Sequence, residues 1–192
     1  MNNSLSNLPS CNKCVVSVLG LGYVGLPLAI SIAKRKVSFL NKEKLERKVL
    51  GFDINLKRIE DLKKGFDKTN EISKVDLLSK NNLFFTNDFE DLYDSDLYII
   101  SVPTAIDKFK NPNLNALKNV SKLLGKIIKN RKKENMPIII YESTVYPGAT
   151  EEVCIPIIES ESNLFCNSDF FVGYSPERIN PGDQKYKLES IV

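Results

Sequence analysis

Hydrophobic and polar residues alternate along this chain in blocks that predict strands followed by helices. Short apolar runs rich in β-branched and aromatic residues are typical of buried parallel strands. Such runs occupy residues 15–19, 49–53, 83–86, 97–102, 137–143 and 170–174. The clearest helix covers 114–129, where apolar residues recur at helical spacing at 117, 120, 123, 124, 127 and 128.

Weaker patterns predict the remaining helices. Residues 55–64 predict a short helix that ends at Gly65, and Thr69 or Asn70 is a candidate cap for a further helix through Ser79. Residues 148–160 are also helical in pattern, although Pro156 is expected to kink or split that helix. The alternation predicts an α/β fold, a doubly wound Rossmann-like parallel sheet with helices on both faces. Ligands in that architecture bind at the carboxyl ends of the strands.

A glycine-rich loop lies between the first predicted strand and an apolar helix. Residues 20–25 read Gly-Leu-Gly-Tyr-Val-Gly. Gly20 allows the tight turn, Gly22 lets the backbone approach a pyrophosphate, and Gly25 lets the helix pack close to the sheet. The helix N-terminus adds free N–H groups and the positive end of its dipole. This context favours dinucleotide binding over an ordinary tight turn.

Asp53 ends the second predicted strand and is the acidic residue that such a site uses. A carboxylate there can bind the ribose hydroxyls and would repel a 2′-phosphate, so we predict NAD rather than NADP. The alternative is that Asp53 only starts a turn. The interval from the glycines exceeds the usual spacing of about 20 residues. The excess lies in the charged segment 36–47, which either lengthens the first helix or forms a surface excursion.

Charge and hydropathy narrow the class of protein. The 192 residues include 27 basic and 24 acidic side chains, a formal net charge of +3. The densest basic run, 126–133, lies at the end of a predicted helix, where cations complement the dipole, so we do not expect nucleic-acid binding. No apolar run reaches membrane-spanning length and the first ten residues are polar. We therefore expect a cytoplasmic protein without membrane contact.

The chain has no histidine, which excludes imidazole as a base or metal ligand within it. Cys11 and Cys14 form a Cys-x-x-Cys pair without a second pair and before a strand, so neither zinc nor redox function is expected. Cys154 lies on an apolar helical face, which is typical of a core residue. Cys166 lies in a polar linker. No metal site is predicted.

Five strand-end segments, read together, resemble the UDP-glucose/GDP-mannose dehydrogenase family. They cover residues 20–27, 51–55, 101–104, 141–148 and 174–182. Within the family the chain looks most similar to UDP-N-acetylglucosamine or UDP-N-acetylgalactosamine 6-dehydrogenases, which make polysaccharide precursors. The resemblance implies oxidation of the C6 alcohol of a UDP-sugar to a carboxylate in two NAD-dependent steps. An adduct on a cysteine would hold the aldehyde-level intermediate.

The resemblance also implies roles for individual residues. Those matched to cofactor binding are Gly20, Gly22, Tyr23, Val24, Gly25, Asp53, Arg58, Thr104 and Thr144. Glu177 matches a glutamate associated with the catalytic water and proton transfer, and Thr144 would face the reacting centre. Arg178 and Ile179 match substrate-contacting positions. Two simpler readings stay open: Thr144 as a helix cap, and Glu177 with Arg178 as a solvated ion pair.

The chain departs from the family pattern in three ways. Ala105 stands where a second proline often follows, and the interval before Asp53 is long. The chain also ends before the expected central helix and sugar-nucleotide domain, which carry a catalytic lysine and the nucleophilic cysteine. None of the four cysteines matches that context. We expect a polar tail at 1–13 and an NAD-binding domain at 14–192, without the segment through which family members usually form homo-oligomers.

Two functions therefore stay open. The chain is either the cofactor domain of a nucleotide-sugar 6-dehydrogenase that is active with its remaining portion, or a truncated NAD-binding module without complete activity. A purely structural role has the least support, because the cofactor-binding residues are intact. The sugar epimer cannot be read from this sequence.

Overall fold

The structure, a computed structural model, describes residues 7–79, 82–106 and 112–176. Its strands are β1 (Val15–Leu19), β2 (Lys48–Phe52), β3 (Leu83–Thr86), β4 (Leu97–Ile100), β5 (Ala105–Ile106), β6 (Pro112–Asn113), β7 (Ile138–Tyr141) and β8 (Phe171–Tyr174). Within the described ranges, six parallel strands form one sheet in the order β3-β2-β1-β4-β7-β8. Strands β5 and β6 pair with each other in antiparallel fashion.

Helices cover both faces of this sheet. They are α1 (Gly25–Lys34), α2 (Leu56–Lys63), α3 (Lys74–Leu77), α4 (Asn115–Lys129) and α5 (Ile155–Ser162). Apolar residues of α1, α2 and α3 pack in one buried cluster with Val16 and Val49, and those of α4 and α5 pack in a second cluster with Tyr98 and Ile139. The predicted doubly wound α/β fold is confirmed.

The sheet register brings several loops to one edge. Leu19, the last residue of β1, lies opposite Phe52 of β2 and Ile100 of β4. These three strands therefore end at the same level, and the loops that follow them meet there. Strand order reverses between β1 and β4, which is the point where doubly wound sheets open a crevice for ligands.

The helix α3 corrects one prediction from the sequence. Neither Thr69 nor Asn70 caps it; Ser73 does, because its Oγ accepts a hydrogen bond of 3.2 Å from Asp76 N–H. Thr69 donates instead to Asp67, from both its N–H and its hydroxyl. A carboxylate two residues earlier in the chain thus binds the residue that the sequence pattern assigned to a helix cap.

The predicted interruption near Pro156 is confirmed. A π-helical turn at Thr150–Cys154 precedes α5, and Pro156 lies in the first turn of α5. Proline has no N–H to continue the hydrogen-bond ladder of the preceding turn, and the change from π-helical to α-helical pairing falls immediately before it. The structure also excludes Thr144 as the cap of this segment, because Ala149 occupies the capping position. Cys154 is 2% exposed in the core, as predicted.

The segment 36–47 is a surface excursion, which decides between the two alternatives. Helix α1 ends at Lys34, and Val37 then forms an antiparallel bridge with Lys44. Ser38 N–H donates to the Glu43 carbonyl at 2.9 Å, and Leu45 is buried beneath the excursion. Because the extra residues form this excursion, helix α1 is not lengthened, and Asp53 still lies at the end of β2.

The amino-terminal edge of the sheet is organised around Asp96, which is 4% exposed. Its carboxylate accepts from Val15 N–H, Lys133 Nζ and Asn135 Nδ2, and Arg131 lies 3.3 Å away. Burial alone would raise the pKa of Asp96, but the hydrogen bonds from Lys133, Asn135 and Val15 outweigh it and lower that pKa. Part of the basic run 126–133 thus compensates a buried carboxylate at the edge opposite the predicted site.

Part of the predicted tail also lies against this edge. Met136 N–H donates to the Asn7 carbonyl at 3.0 Å, and Arg47 donates to the Cys11 carbonyl. Among the described residues, no helix combines the length and the hydropathy needed to cross a bilayer.

Candidate functional site

A cavity of about 700 Å³ lies at the carboxyl edge of the sheet, where the strand order reverses. It is lined by Leu19, Gly20, Leu21, Gly22, Phe52, Asp53, Ile54, Asn55, Arg58, Lys68, Thr69, Ser101, Val102, Pro103, Ala116, Asn119, Val120 and Leu123. This volume is in the usual range for cofactor sites, and the wall is largely apolar with a few polar groups.

The three loop glycines meet three different spatial demands. Gly20 has a φ of +96°, a conformation that a residue with a Cβ rarely adopts. A Cβ on Gly25 would lie 1.9 Å from the Gly20 carbonyl oxygen and 2.1 Å from Ser101 Oγ, so only glycine fits. A Cβ on Gly22 would meet no atom within 4 Å. The space in front of Gly22 is therefore open to a ligand.

Asp53 and Arg58 hold the backbone of Leu21 from two sides. Leu21 N–H donates to Asp53 Oδ2 at 2.9 Å, and Arg58 Nε donates to the Leu21 carbonyl at 2.9 Å. The other oxygen of Asp53 accepts from Asn55 N–H, and Asn55 in turn caps α2 through its side chain. Asp53 therefore both shapes the turn and lies in the cavity wall.

A buried carboxylate, Asp67, supports Arg58 from behind. Arg58 Nη1 lies 2.7 Å from Asp67 Oδ1, and the Asp67 side chain is 1% exposed. Its oxygens also accept from Thr69, Glu71 and Ile72, which form the loop after α2. Burial alone would raise the pKa of Asp67, but the hydrogen bonds from Thr69, Arg58 and Ile72 outweigh it and lower that pKa.

The cavity wall fits a dinucleotide in two respects. Arg58 Nη2 is buried and has no hydrogen-bond partner among the described residues, so it is a donor available to a ligand. The open approach at Gly22 matches the close contact that a pyrophosphate makes with loop backbone. The first turn of α1 follows directly and adds the positive end of its helix dipole, although Leu26 N–H already donates to the Gly22 carbonyl at 3.2 Å.

The structure brings some of the predicted cofactor residues into this wall and places others beside it. Gly20, Gly22, Asp53 and Arg58 line the cavity. Tyr23, 49% exposed, and Val24 continue the loop into Gly25 at the start of α1. Thr104, half-buried, and Thr144, exposed, follow β4 and β7 at the same edge, but outside the cavity wall. Glu177, Arg178 and Ile179 lie outside the described residues.

Sequence reasoning missed several residues of the site. Ser101 Oγ donates to the Gly20 carbonyl at 2.8 Å and packs where a Cβ of Gly25 would be, so it fixes the loop against β4. Its presence in the strand-end motif was a usable signal. Lys68 and Thr69 line the cavity only because Asp67 folds their loop back, and Asn119 comes from α4. No local pattern marked these three as site residues, and Thr69 was predicted only as a helix cap.

None of the four cysteines lines the cavity, and all four are free thiols. Burial raises the pKa of the Cys14, Cys154 and Cys166 thiols. A raised pKa disfavours the thiolate that nucleophilic catalysis requires. Within the described ranges, no group of three or more histidine, cysteine or acidic side chains is placed to hold a metal ion.

Comparison with known proteins finds relatives in one family of dehydrogenases. Residues 14–190 match the sequence profile of the UDP-glucose/GDP-mannose dehydrogenase family, NAD binding domain. Protein CapL of Staphylococcus aureus is 49% identical over 176 residues, which are 92% of this chain and 38% of that protein. UDP-N-acetyl-D-glucosamine 6-dehydrogenase of Pseudomonas aeruginosa is 47% identical over the same shares of the two chains.

A solved structure shares the fold closely. It is the NDP-N-acetyl-D-galactosaminuronic acid dehydrogenase from Methanosarcina mazei, which superposes with a TM-score of 0.77 at 26% identity. The match covers 95% of this chain and 38% of that one. This chain therefore spans well under half the length of the relatives that it matches.

Proposed function

Because the chain belongs to the UDP-glucose/GDP-mannose dehydrogenase family as its NAD-binding domain, we propose that it serves a UDP-N-acetylhexosamine 6-dehydrogenase. The reaction is oxidation of the sugar C6 alcohol to the uronate. Identities of 47% and 45% to UDP-N-acetyl-D-glucosamine 6-dehydrogenases from two bacteria support this substrate class. The product is a precursor for polysaccharide synthesis.

One observation carries the proposal: the cavity in which Asp53, Arg58 and the open face of Gly22 converge on one side of the Leu21 turn. NAD supplies the hydride acceptor when it is bound. Asp53 accepts hydrogen bonds from the adenosine ribose, and Arg58 Nη2 donates one. The backbone at Gly22 and the first turn of α1 hold the pyrophosphate.

The remaining residues act at the reacting end. Thr104 and Thr144, which follow β4 and β7, orient the nicotinamide half of NAD at the same edge of the sheet. Glu177 binds the reacting water and transfers its proton. Arg178 and Ile179 contact the UDP-sugar. We place the reaction in the cytoplasm, since the four cysteines are free, as thiols are in a reducing compartment.

Calorimetric titration of the chain with NAD and with NADP tests the cofactor site. We expect saturable binding of NAD and weaker binding of NADP, because the Asp53 carboxylate repels a 2′-phosphate. Equal affinity for the two cofactors would contradict the assignment of Asp53.

A chimera tests the substrate class. This chain would replace the matching segment of the Pseudomonas aeruginosa UDP-N-acetyl-D-glucosamine 6-dehydrogenase, which it resembles at 47% identity. We expect NADH production with UDP-N-acetylglucosamine or UDP-N-acetylgalactosamine, two NADH per sugar, and loss of turnover in Glu177→Ala. A folded chimera that binds NAD and oxidises neither sugar would refute the proposed substrate class.

A second candidate is an NAD-binding module that cannot complete the oxidation. It is favoured by the position of the cysteines, since no thiol of this chain lines the cavity to capture an aldehyde. The two candidates differ in whether a sugar-nucleotide domain completes the oxidation, which the chimera tests.

A further inference from the structure

The charged residues of the cavity wall give conflicting signals about the cofactor. Among the described residues of that wall they are Asp53, Arg58 and Lys68. A carboxylate at the end of the second strand favours NAD, but an arginine beside the ribose is what accommodates the 2′-phosphate of NADP. Two cations against one carboxylate would attract that phosphate. The wall alone therefore does not explain a preference for NAD.

Asp67 resolves the conflict from outside the wall. It does not line the cavity, yet its Oδ1 lies 2.7 Å from Arg58 Nη1, and the two side chains are 1% and 11% exposed. At such burial the pair interacts with little screening by solvent. The positive charge of Arg58 is therefore largely compensated before any ligand arrives.

The same carboxylate also fixes where Arg58 points. Thr69, Glu71 and Ile72 donate four hydrogen bonds to the two Asp67 oxygens, so the carboxylate cannot turn away. Arg58 is then held between Asp67 and the Leu21 carbonyl. Its Nη2 has no hydrogen-bond partner among the described residues and remains for a neutral hydroxyl, while Nη1 forms an ion pair with the Asp67 carboxylate.

We propose that Asp67 is a specificity-determining residue that acts through Arg58 to make the site select NAD over NADP. This inference rests on the proposed cofactor site and adds a second determinant to Asp53. Asp67 touches neither cofactor. Its carboxylate compensates the positive charge of Arg58, so that Arg58 donates a hydrogen bond to the ribose and does not attract a 2′-phosphate.

The test measures dissociation constants of NAD and NADP for the chain and for Asp67→Asn. The ratio of the NADP constant to the NAD constant should fall by about tenfold, the lower end of couplings measured for close charge pairs. A second substitution, Arg58→Gln, in the Asp67→Asn background should return the ratio towards the wild-type value, because the uncompensated charge is gone. A purely structural role of Asp67 would weaken both cofactors equally and leave the ratio unchanged.

Two controls sharpen the result. Asp96→Asn removes a matched buried carboxylate that lies beside Arg131 at the opposite edge of the sheet, and should keep the ratio within about twofold. Lys68→Gln in the Asp67→Asn background tests the other cation of the wall; if it, rather than Arg58→Gln, restores the ratio, the inference is wrong. If Asp67→Asn does not fold, Asp67→Ser replaces it, since a hydroxyl still accepts from the loop N–H groups.

The outcomes separate this inference from the proposed function. A wild-type chain that binds neither cofactor overturns the proposed function. A wild-type chain that prefers NAD, with an Asp67→Asn variant of unchanged ratio, overturns only the role of Asp67.

Discussion

At the level of single residues, the site depends on glycines whose missing Cβ leaves space and on a carboxylate, Asp53, that both shapes a turn and lines the cavity. Asp53 accepts from the backbone N–H groups of Leu21 and Asn55 while it also lines the cavity. Sequence patterns correctly placed Asp53 at the end of β2 but treated turn formation and ribose binding as alternatives. The structure shows the turn contacts, and Asp53 also lines the cavity where we propose that the ribose binds.

Replacing Asp53 with Asn should weaken NAD binding by about 1–3 kcal/mol, the scale of a hydrogen bond to a charged group. Calorimetric titration gives the affinity, and thermal unfolding monitors the turn. Asp169→Asn is the matched control, because Asp169 also accepts a loop N–H, from Phe165, but lies in the loop before β8. NAD affinity that falls equally in both variants would refute a direct role for Asp53.

Gly22→Ala and Gly25→Ala should fail in different ways. A Cβ at 22 meets no protein atom within 4 Å, so Gly22→Ala should keep its thermal stability and lose NAD affinity by tenfold or more, about 1.4 kcal/mol. A Cβ at 25 would overlap the Gly20 carbonyl and Ser101, so Gly25→Ala should lose about 1–3 kcal/mol of unfolding free energy. Unchanged NAD affinity in Gly22→Ala would show that no ligand approaches this backbone.

At the scale of elements, two buried tyrosines tie strands to their neighbours. Tyr98 of β4 donates to the Leu92 carbonyl at 2.8 Å, and Tyr141 of β7 shares a 2.6 Å hydrogen bond with Ser121 of α4. Burial raises the pKa of both phenols above the ordinary value of 10.0. Because the folded state holds these protons more tightly, their contribution to stability is complete below pH 10 and is lost as the pH rises from 10 through the higher folded-state pKa.

Tyr141→Phe should therefore change the pH dependence of stability as well as its size. We expect a loss of about 0.5–1.5 kcal/mol at neutral pH, from the missing hydrogen bond, and a shallower decline of the unfolding free energy above pH 10. Denaturant titrations from pH 7 to 11 measure both. The exposed Tyr146 provides the control Tyr146→Phe, whose alkaline profile should match the wild type. The same match in Tyr141→Phe would contradict the argument.

At the scale of the whole molecule, the described chain holds a cofactor cavity but no thiol within it. The second oxidation of the proposed reaction would need a thiolate to capture the aldehyde and present a hydride to a second NAD. Cys154 is buried in the core beside Tyr141, and the other three cysteines also lie outside the cavity wall. Side chains that orient the sugar also contribute much of the rate, because a sugar that is free to move raises the activation barrier by roughly several kcal/mol.

We predict that the 192-residue chain alone does not turn over a UDP-sugar to its uronate. The measurement is NADH production by the purified chain with UDP-N-acetylglucosamine or UDP-N-acetylgalactosamine. Steady turnover that yields two NADH per sugar, and that Glu177→Ala abolishes, would show that the complete chemistry resides in this chain. The active chimera described above serves as the positive control for the assay.

The fold class, the strands and the glycine loop could be predicted from the sequence, because they follow from local periodicity and from a Gly-x-Gly-x-x-Gly spacing that lies between a strand and a helix. Asp53 was named for its position at the end of a predicted strand, and Arg58 for the family resemblance. Tertiary structure decided what depends on distant partners. Helix α1 ends at Lys34, Asp67 forms an ion pair with Arg58, and Ser101 donates a hydrogen bond to the Gly20 carbonyl. The basic run 126–133 shows the physical reason. Its cations suit a helix end, but Arg131 and Lys133 pair with the buried carboxylate of Asp96, which lies more than 30 residues away along the chain, just before β4.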